Sequence, residues 1–474
     1  MIPEALTFKD VLLTPRRSPI ASRGQVDTTG RFSRKIQLKV PLVSANMDTV
    51  TEAEMAIAMA RLGGLGIVHR FLSIAEEVAE VAKVKRAESV VIEDPYTLGP
   101  DATVGEAQRM MEDREVGGLL IVDRGGKLIG VVTERDVRFE ERESRRVSEV
   151  MTRKLIVGTP GMGEAAARAL LAKHKLEKLP LVDKRGGLAG LITAKDILKR
   201  RRFPDASKDS KGRLLVGAAI GVVGDYLERA QALHDAGADV LVLDVAHGHA
   251  DHVIKAVRAL KRQKRSFELV AGNVATFEGA RDLAAAGADA IKVGVGPGAT
   301  CSTRVVTGSG VPQLSAVMDA ARITKLRGVP ICADGGIRDS GDITKALAGG
   351  ASSIMIGSLL AGTDESPGWT IVRGGMKYKV YRGMASLGAT MGRRKKENSR
   401  LDDVSEVVPE GVESTVPYRG AAAEVVHQLA GGLRSGMSYS GAKDLKSFWK
   451  NAKFVRITGA GWTESMPAKG VISG

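Results

Sequence analysis

From about Arg213 onward the chain alternates short β-branched runs with alanine-rich amphipathic segments. That rhythm restricts it to folds in which parallel strands are joined by helical crossovers. The runs are LLVGAAIG (214–221), VLVLDVA (240–246), ELVAGNV (268–274), AIKVGVG (290–296), PICADGG (330–336) and SIMIGS (353–358). Segments such as YLERAQALHDAGAD and EGARDLAAAGAD separate them. AGAD at 236–239 and 286–289, and GGAS at 349–352, put glycine where a left-handed cap turns a helix into the next strand. Two further strands, VPLVSANM (40–47) and LGIVHR (65–70), flank the helical EAEMAIAMARLGG. Six βα units and these two make eight, the count of a closed α/β (β/α)₈ TIM barrel.

The 140-odd residues between the second and third strands do not fit the rhythm. They contain a repeat. LIGVVTERDVRF (128–139) aligns with LAGLITAKDILKR (188–200) at an offset of 60 residues, setting Thr133 over Thr193 and Asp136 over Asp196. Each copy follows an apolar strand with its turn, LLIVDRGGK or LPLVDKRGG, and before that a helical stretch. Two copies of one small unit imply a compact tandem module inserted into the barrel. The copies resemble a pair of cystathionine-β-synthase-type (CBS) domains, whose G-h-h-T-x-x-D phrase both carry (h, hydrophobic). That resemblance implies adenine- or guanine-nucleotide binding, ATP or GTP, through Thr133, Asp136, Thr193 and Asp196; a purely structural insertion is the alternative. The expected boundaries are barrel at 1–91, CBS pair at 92–205 and barrel again at 206–474.

Composition narrows the function classes. No apolar run approaches the roughly 20 residues needed to span a bilayer, and the N-terminus lacks a signal-peptide core. Two cysteines in 474 residues cannot form a disulfide framework, so a reducing cytoplasm is expected and the thiols are free for chemistry. Seventy Lys+Arg against 55 Asp+Glu leave a net +15. With aromatics at 4% and no zinc spacing, nucleic acid is a disfavoured partner, and the basic clusters at 195–203 and 392–400 read as solvated or as lying near anionic small molecules.

In a barrel of this kind chemistry sits at the C-terminal strand ends. Those ends here carry Asn46 and Asp48, His69, Asp244 and His247, Asn273, the loop GVGPGATCSTR (294–304), Asp334-Gly-Gly and Gly357-Ser358. Any one polar residue there can be a helix cap; seven strands ending so together point to a site. DGGI (334–337) and IGS (356–358), after strands seven and eight, suit a phosphate cradle of backbone amides, and an Asp before two glycines suits a ribose. Glycines 294, 296 and 298 let backbone approach a ligand: carbonyls for a hard monovalent cation, amides for an anion. Cys301 at the end of that loop is a candidate nucleophile for an electron-poor ring carbon, with Thr303 as proton relay. Cys332, inside a strand, reads as a buried small hydrophobe.

SANMDTVTE (44–52), GGLGIVHR (63–70), DVAHGH (244–249), AGNV (271–274), GVGPGATCSTR, ADGGIR (333–338), YRGMASLGA (381–389), PEGVESTVPYRG (409–420), GGLRSGMSYSGA (431–442) and RITGAG (456–461) are similar to phrases of the inosine-5′-monophosphate dehydrogenase / guanosine-5′-monophosphate reductase family. The resemblance covers nearly the whole chain, CBS insertion included.

It implies that Cys301 attacks C2 of a purine nucleoside monophosphate, that Thr303 assists proton transfer, and that a nicotinamide exchanges hydride. Ser44, Met47, Ala299, Asp334, Gly335, Gly336, Gly357, Ser358, Tyr381, Arg382, Gly383, Met384, Ala385 and Glu410 would hold the nucleotide. Asp244 and Asn273, with Gly294, Val295 and Gly296, would face NAD. Carbonyls of Gly296, Gly298 and Cys301 would ligate K⁺ (potassium), completed by Glu464, Ser465 and Met466 of a neighbouring subunit in a homotetramer or its octamer.

The family runs this chemistry in two directions. Leu387 stands where reductases carry the Glu that helps expel ammonia, and PEGVESTVPYRG and RITGAG are dehydrogenase phrases. STRVVTGSGVPQLSAV (302–317) and LDVA (243–246) lean toward reductases. The flap (about 388–415) reads MGRRKKENSRLDDVSEVV without the dehydrogenase Arg-Tyr pair. Arg400, before Leu401, is the nearest match for the residue that activates water, with Arg393 or Arg394 as alternatives. The expected activity is oxidation of inosine 5′-monophosphate to xanthosine 5′-monophosphate with NAD⁺ and water, a step of guanine nucleotide synthesis. NADPH-dependent reduction of guanosine 5′-monophosphate, or nucleotide sensing through the CBS pair, are the alternatives.

Overall fold

The computed structural model describes residues 2–88, 91–92, 94–114, 116–195, 197, 203–263, 267–396 and 408–467. The chain divides into two compact units: 1–87, 205–209 and 214–474 form one, and 88–204 with 210–213 the other.

In the first unit eight parallel strands close into a barrel: β1 (Leu42–Ser44), β2 (Leu65–Val68), β3 (Gly217–Ile220), β4 (Val240–Asp244), β5 (Glu268–Val274), β6 (Ala290–Val293), β7 (Ile331–Asp334) and β8 (Ser353–Ile356). β8 pairs with β1, and Gly217 opposite Ile67 joins β3 to β2, so no edge is left unpaired. All eight expected strands are present. Helices α1 (Ala53–Arg61), α2 (Ile74–Ala87), α3 (Tyr226–Asp235), α4 (Asp251–Arg262), α5 (Phe277–Ala286), α6 (Gln313–Ala320), α7 (Ser340–Ala348) and α8 (Ala422–Tyr439) alternate with them.

Strand periodicity sorts the side chains into two cores. Leu241, Leu243, Ile291, Val293, Ile354 and Ile356 face the helices. Val43, Leu65, Ile67, Val240, Val242, Val270, Ala290, Cys332 and Met355 fill the interior. A hairpin of Gly30–Arg31 with Gln37–Leu38 adds Phe32, Ile36 and Leu38 to that interior cluster. Phe32 is fully buried among the first residues of β2, β4 and β6, plugging that end of the barrel. The opposite mouth, at the C-terminal strand ends, stays open.

At the end of α2 the fully enclosed Lys85 ammonium donates to Asp239 Oδ2 (2.7 Å), Asp209 Oδ2 (3.1 Å) and the Leu214 carbonyl (2.9 Å). One lysine thus ties the helix that leaves the barrel to the segment that re-enters it. No helix among the described residues is long and apolar enough to cross a membrane.

The second unit shows the repeat as structure. Gly118–Val122 pairs antiparallel with Leu128–Thr133, and 60 residues on Lys178–Val182 pairs with Leu188–Thr193. Helices Val104–Asp113 and Glu164–His174 precede the two hairpins and pack on them through separate cores. Thr133 donates its backbone N–H and its hydroxyl to Asp136 Oδ2, both at 2.8 Å. Thr193 ends the second hairpin; Asp196 lies outside the described residues.

Candidate active site

The same period of two that packs the interior decides which polar groups reach the open mouth. Asp244 follows Val240 and Val242 on the inward side of β4; Lys292 follows Ala290 on β6; Asp334 follows Cys332 on β7. They meet in a cavity of about 550 Å³, in the range of a small-molecule site.

Most expected residues line this cavity: Met47 just after β1, Asp244 and Asn273 from β4 and β5, the 294–301 loop with Thr303, Asp334 to Gly336, Gly357 and Ser358, then Tyr381, Gly383 to Ala385 and Glu410. Ser44 and Arg382 do not. Ser44 is fully buried and accepts from Thr51 Oγ1 at 2.9 Å. Arg382 turns to Asp48, donating through Nε at 2.9 Å and through a second guanidinium nitrogen. Glu464 ends the short helix Gly459–Glu464, and it, Ser465 and Met466 are exposed and outside the lining. Of the flap, 387–396 is helical and 413–417 a strand; Arg400 and Leu401 lie outside the described residues.

Two glycines show how closely the backbone closes around the site. Gly294 has φ +148°, and a Cβ there would lie 2.0 Å from the Asp334 carbonyl oxygen. Gly335 has φ +86°, and a Cβ there would lie 2.9 Å from Pro297 Cγ. Neither position tolerates a side chain without displacing the loops that carry Cys301 and Asp334.

Cys301 is exposed, and its thiol donates to Thr303 Oγ1 at 3.1 Å. The loop is clamped from the far side of the flap: Ser302 N donates to Glu410 O and Val412 N to Thr300 O, both at 2.9 Å. Arg304 Nε donates to the Val295 carbonyl at 3.2 Å, bracing the glycine turn from beneath. Cys332 is wholly buried, and burial pushes its thiol up to about 12, as suits an inert core residue. Tyr381 is likewise pushed up to about 12 by burial, so its phenol remains a proton donor.

Lys292 was not singled out by the sequence reading. It is 2% exposed, and its ammonium donates to Asp244 Oδ1 at 2.6 Å and Asp334 Oδ2 at 2.9 Å. Burial opposes its charge, but the two carboxylates outweigh burial and hold it above the ordinary lysine range. Burial likewise raises Asp244, yet Lys292, Arg70 and the Asn46 hydrogen bond more than reverse that and leave it lowered. The readable signal was a lysine in phase with inward-facing Ala290, two positions before the glycine loop. Arg70, Thr300, Arg338 and Thr390 also line the cavity without having been assigned.

The match to known proteins is broad. The family model described as IMP dehydrogenase / GMP reductase domain matches residues 5–468. An inosine-5′-monophosphate dehydrogenase of Nitrosopumilus maritimus is 54% identical over 98% of both chains. One from Aquifex aeolicus is 51% identical over 98% of this chain and 95% of that one. A crystal structure of a Cys-to-Ala variant of GMP reductase from Trypanosoma brucei, in complex with guanosine 5′-monophosphate, superposes with a TM-score of 0.94 at 46% identity, covering 99% of each chain. A closed eight-stranded barrel, a thiol at its mouth and a family match spanning residues 5–468 lead to one assignment: this chain belongs to the IMP dehydrogenase / GMP reductase family.

Proposed function

We propose that the protein is an NAD-dependent oxidoreductase that converts inosine 5′-monophosphate and water to xanthosine 5′-monophosphate. The observation that carries this reading is the Cys301–Thr303 pair at the mouth of a nucleotide-sized cavity. Relatives at 54% and 51% identity bearing the dehydrogenase name support the direction, as does Leu387 where a reductase carries Glu.

Cys301 Sγ adds to C2 of the purine as its proton leaves toward Thr303, giving a covalent adduct. NAD⁺ held beside Asp244 and Asn273 would supply the hydride acceptor for C2, and Cys301 would keep the oxidised purine as a thioimidate. A water deprotonated by a flap base, Arg400 in this reading, attacks C2 and releases product and thiolate. Arginine stays charged at ordinary pH, so that role requires local help. Asp334 accepts from the ribose; amides at Gly335, Gly336, Gly357 and Ser358 take the phosphate; Tyr381, Gly383 to Ala385 and Glu410 close over the base.

NAD fits the β4–β5 side. Asn273 Oδ1 is buried there with no partner among the described residues, an acceptor of the kind a carboxamide N–H satisfies. Potassium fits the 296–301 turn: among the described residues no hydrogen bond reaches the carbonyls of Gly296 or Cys301. Only Gly298 O is engaged, accepting from Cys301 N at 3.1 Å. A hard cation bound there would hold the nucleophile's loop in shape, and the exposed Glu464, Ser465 and Met466 of a second copy would complete the set in a cytoplasmic homotetramer or octamer.

In this reading the second unit, within 92–205, is a CBS pair. Thr133, Asp136, Thr193 and Asp196 would take ATP or GTP, and the Thr133–Asp136 contact presents both groups at one helix start.

The test is nicotinamide absorbance with potassium present. Inosine monophosphate with NAD⁺ is expected to yield NADH steadily. Guanosine monophosphate with NADPH is expected to stay silent; consumption there would favour the reductase reading, which the 46% identity to a GMP reductase keeps in play. Arg400→Ala should slow steady turnover while leaving the first-turnover burst of NADH. Loss of burst and turnover together assigns the base elsewhere on the flap.

A further inference from the structure

The two carboxylates of the cavity floor are not equivalent. Asp244 has both oxygens engaged by protein, Oδ1 by Lys292 at 2.6 Å and Oδ2 by Asn46 Nδ2 at 2.9 Å. Asp334 has only one engaged: Oδ2 accepts from Lys292 at 2.9 Å and from Asn273 Nδ2 at 3.0 Å. No hydrogen bond from the described residues reaches Asp334 Oδ1. Asn273 is itself held, its Nδ2 also donating to the Gly294 carbonyl at 2.8 Å.

We infer that Lys292 and Asn273 are positioning residues that pin one oxygen of Asp334, so that the other alone is offered to the nucleotide, with Lys292 as a counter-ion shared with Asp244. This deepens the proposed function and rests on its nucleotide site. The reason is electrostatic. Two carboxylates converging on one buried point cannot both stay ionised without a cation between them. Here the cation is 2% exposed and donates to both. Because the same ammonium also touches Asp244, the nucleotide side and the dinucleotide side of the cavity share one charged anchor.

The experiment is calorimetric titration of the full chain with inosine monophosphate, and separately with guanosine monophosphate, without dinucleotide. Lys292→Met removes the charge at nearly constant length and is expected to weaken binding by roughly tenfold or more. Adding Asp244→Asn to that variant removes the facing carboxylate, and most of the lost affinity should return. A structural role alone would make the second substitution harmful or neutral. Affinity within twofold of wild type in Lys292→Met, or a double variant that recovers none of the lost affinity or loses more, overturns the inference. Should Lys292→Met not fold, Asn273→Ala removes the other donor to Oδ2 and is expected to cost several-fold in affinity; wild-type affinity there overturns it as well. Wild-type protein that binds nucleotide without oxidising it would sink the proposed activity and leave this inference standing. Wild-type protein that binds neither nucleotide removes both.

Discussion

The Cys301 thiol lies 3.1 Å from the hydroxyl of Thr303, the first residue of the short helix Thr303–Thr307. The helix start fixes the hydroxyl, and the clamp between 300–302 and 410–412 fixes the thiol. Replacing Cys301 by Ala should abolish turnover while nucleotide binding, measured by calorimetry, stays close to wild type. Thr303→Ala keeps the Cys301 thiol but removes its hydrogen-bond partner, and on the proposed mechanism should lower kcat by about 10²–10⁴. Turnover persisting in Cys301→Ala would end the covalent mechanism.

Gly294 offers a test of the packing between the glycine loop and β7. Alanine there meets both a positive φ and the Asp334 carbonyl at 2.0 Å. Gly308 also has a positive φ, +70°, but nothing stands within 4 Å of its missing Cβ. Gly308→Ala should therefore cost about 1 kcal/mol. Gly294→Ala should cost at least ~2–3 kcal/mol and weaken nucleotide binding as Asp334 shifts. Equal denaturant midpoints for the two variants would contradict this account.

Lys85 is enclosed by two carboxylates and a carbonyl. Lys85→Met removes the ammonium that Asp239 and Asp209 share and leaves the Asp239 carboxylate buried without it, a loss that typically costs about 3–5 kcal/mol. A double variant with Asp239→Asn should recover part of that. Urea unfolding of both variants measures it, and an unchanged midpoint in Lys85→Met would show the cluster to be dispensable.

Glu77 on α2 is fully buried against Arg229 of α3, 2.6 Å away. Burial is the larger influence and raises its carboxyl from an ordinary 4.5 to about 8, with Arg229 only partly offsetting it. The folded state therefore holds a proton that the unfolded chain releases above about 4.5. Stability from this group is complete at or below that pH and falls as pH rises toward 8. Unfolding free energies at pH 5 and pH 8.5 should differ more in wild type than in Glu77→Gln, which cannot titrate. Identical pH slopes would assign the effect elsewhere.

The strand-end part of the candidate cavity was legible in the sequence. Cys301, Asp334, Asn273 and the glycine turns sit at strand ends, and strand ends follow from the periodicity of apolar runs. Lys292 was missed because it lies inside a strand that reads as apolar; only its phase with Ala290 marks it as inward-facing. Ser44 and Arg382 were expected at the nucleotide, and the fold directs them elsewhere. A one-position change of phase buries Ser44 beside Thr51, and the nearness of Asp48 claims the Arg382 guanidinium.

Local pattern alone determined the number and order of the barrel strands and the place of the Cys301 thiol in its glycine loop, because each depends on residues within a few positions of one another; the inserted repeat needed only two such stretches compared 60 residues apart. Which carboxylates share a cation and which oxygen is left to meet a ligand are relations between residues 42 to 198 positions apart. Those were decided only when the barrel closed, since closure alone sets the distances over which charges and hydrogen bonds act.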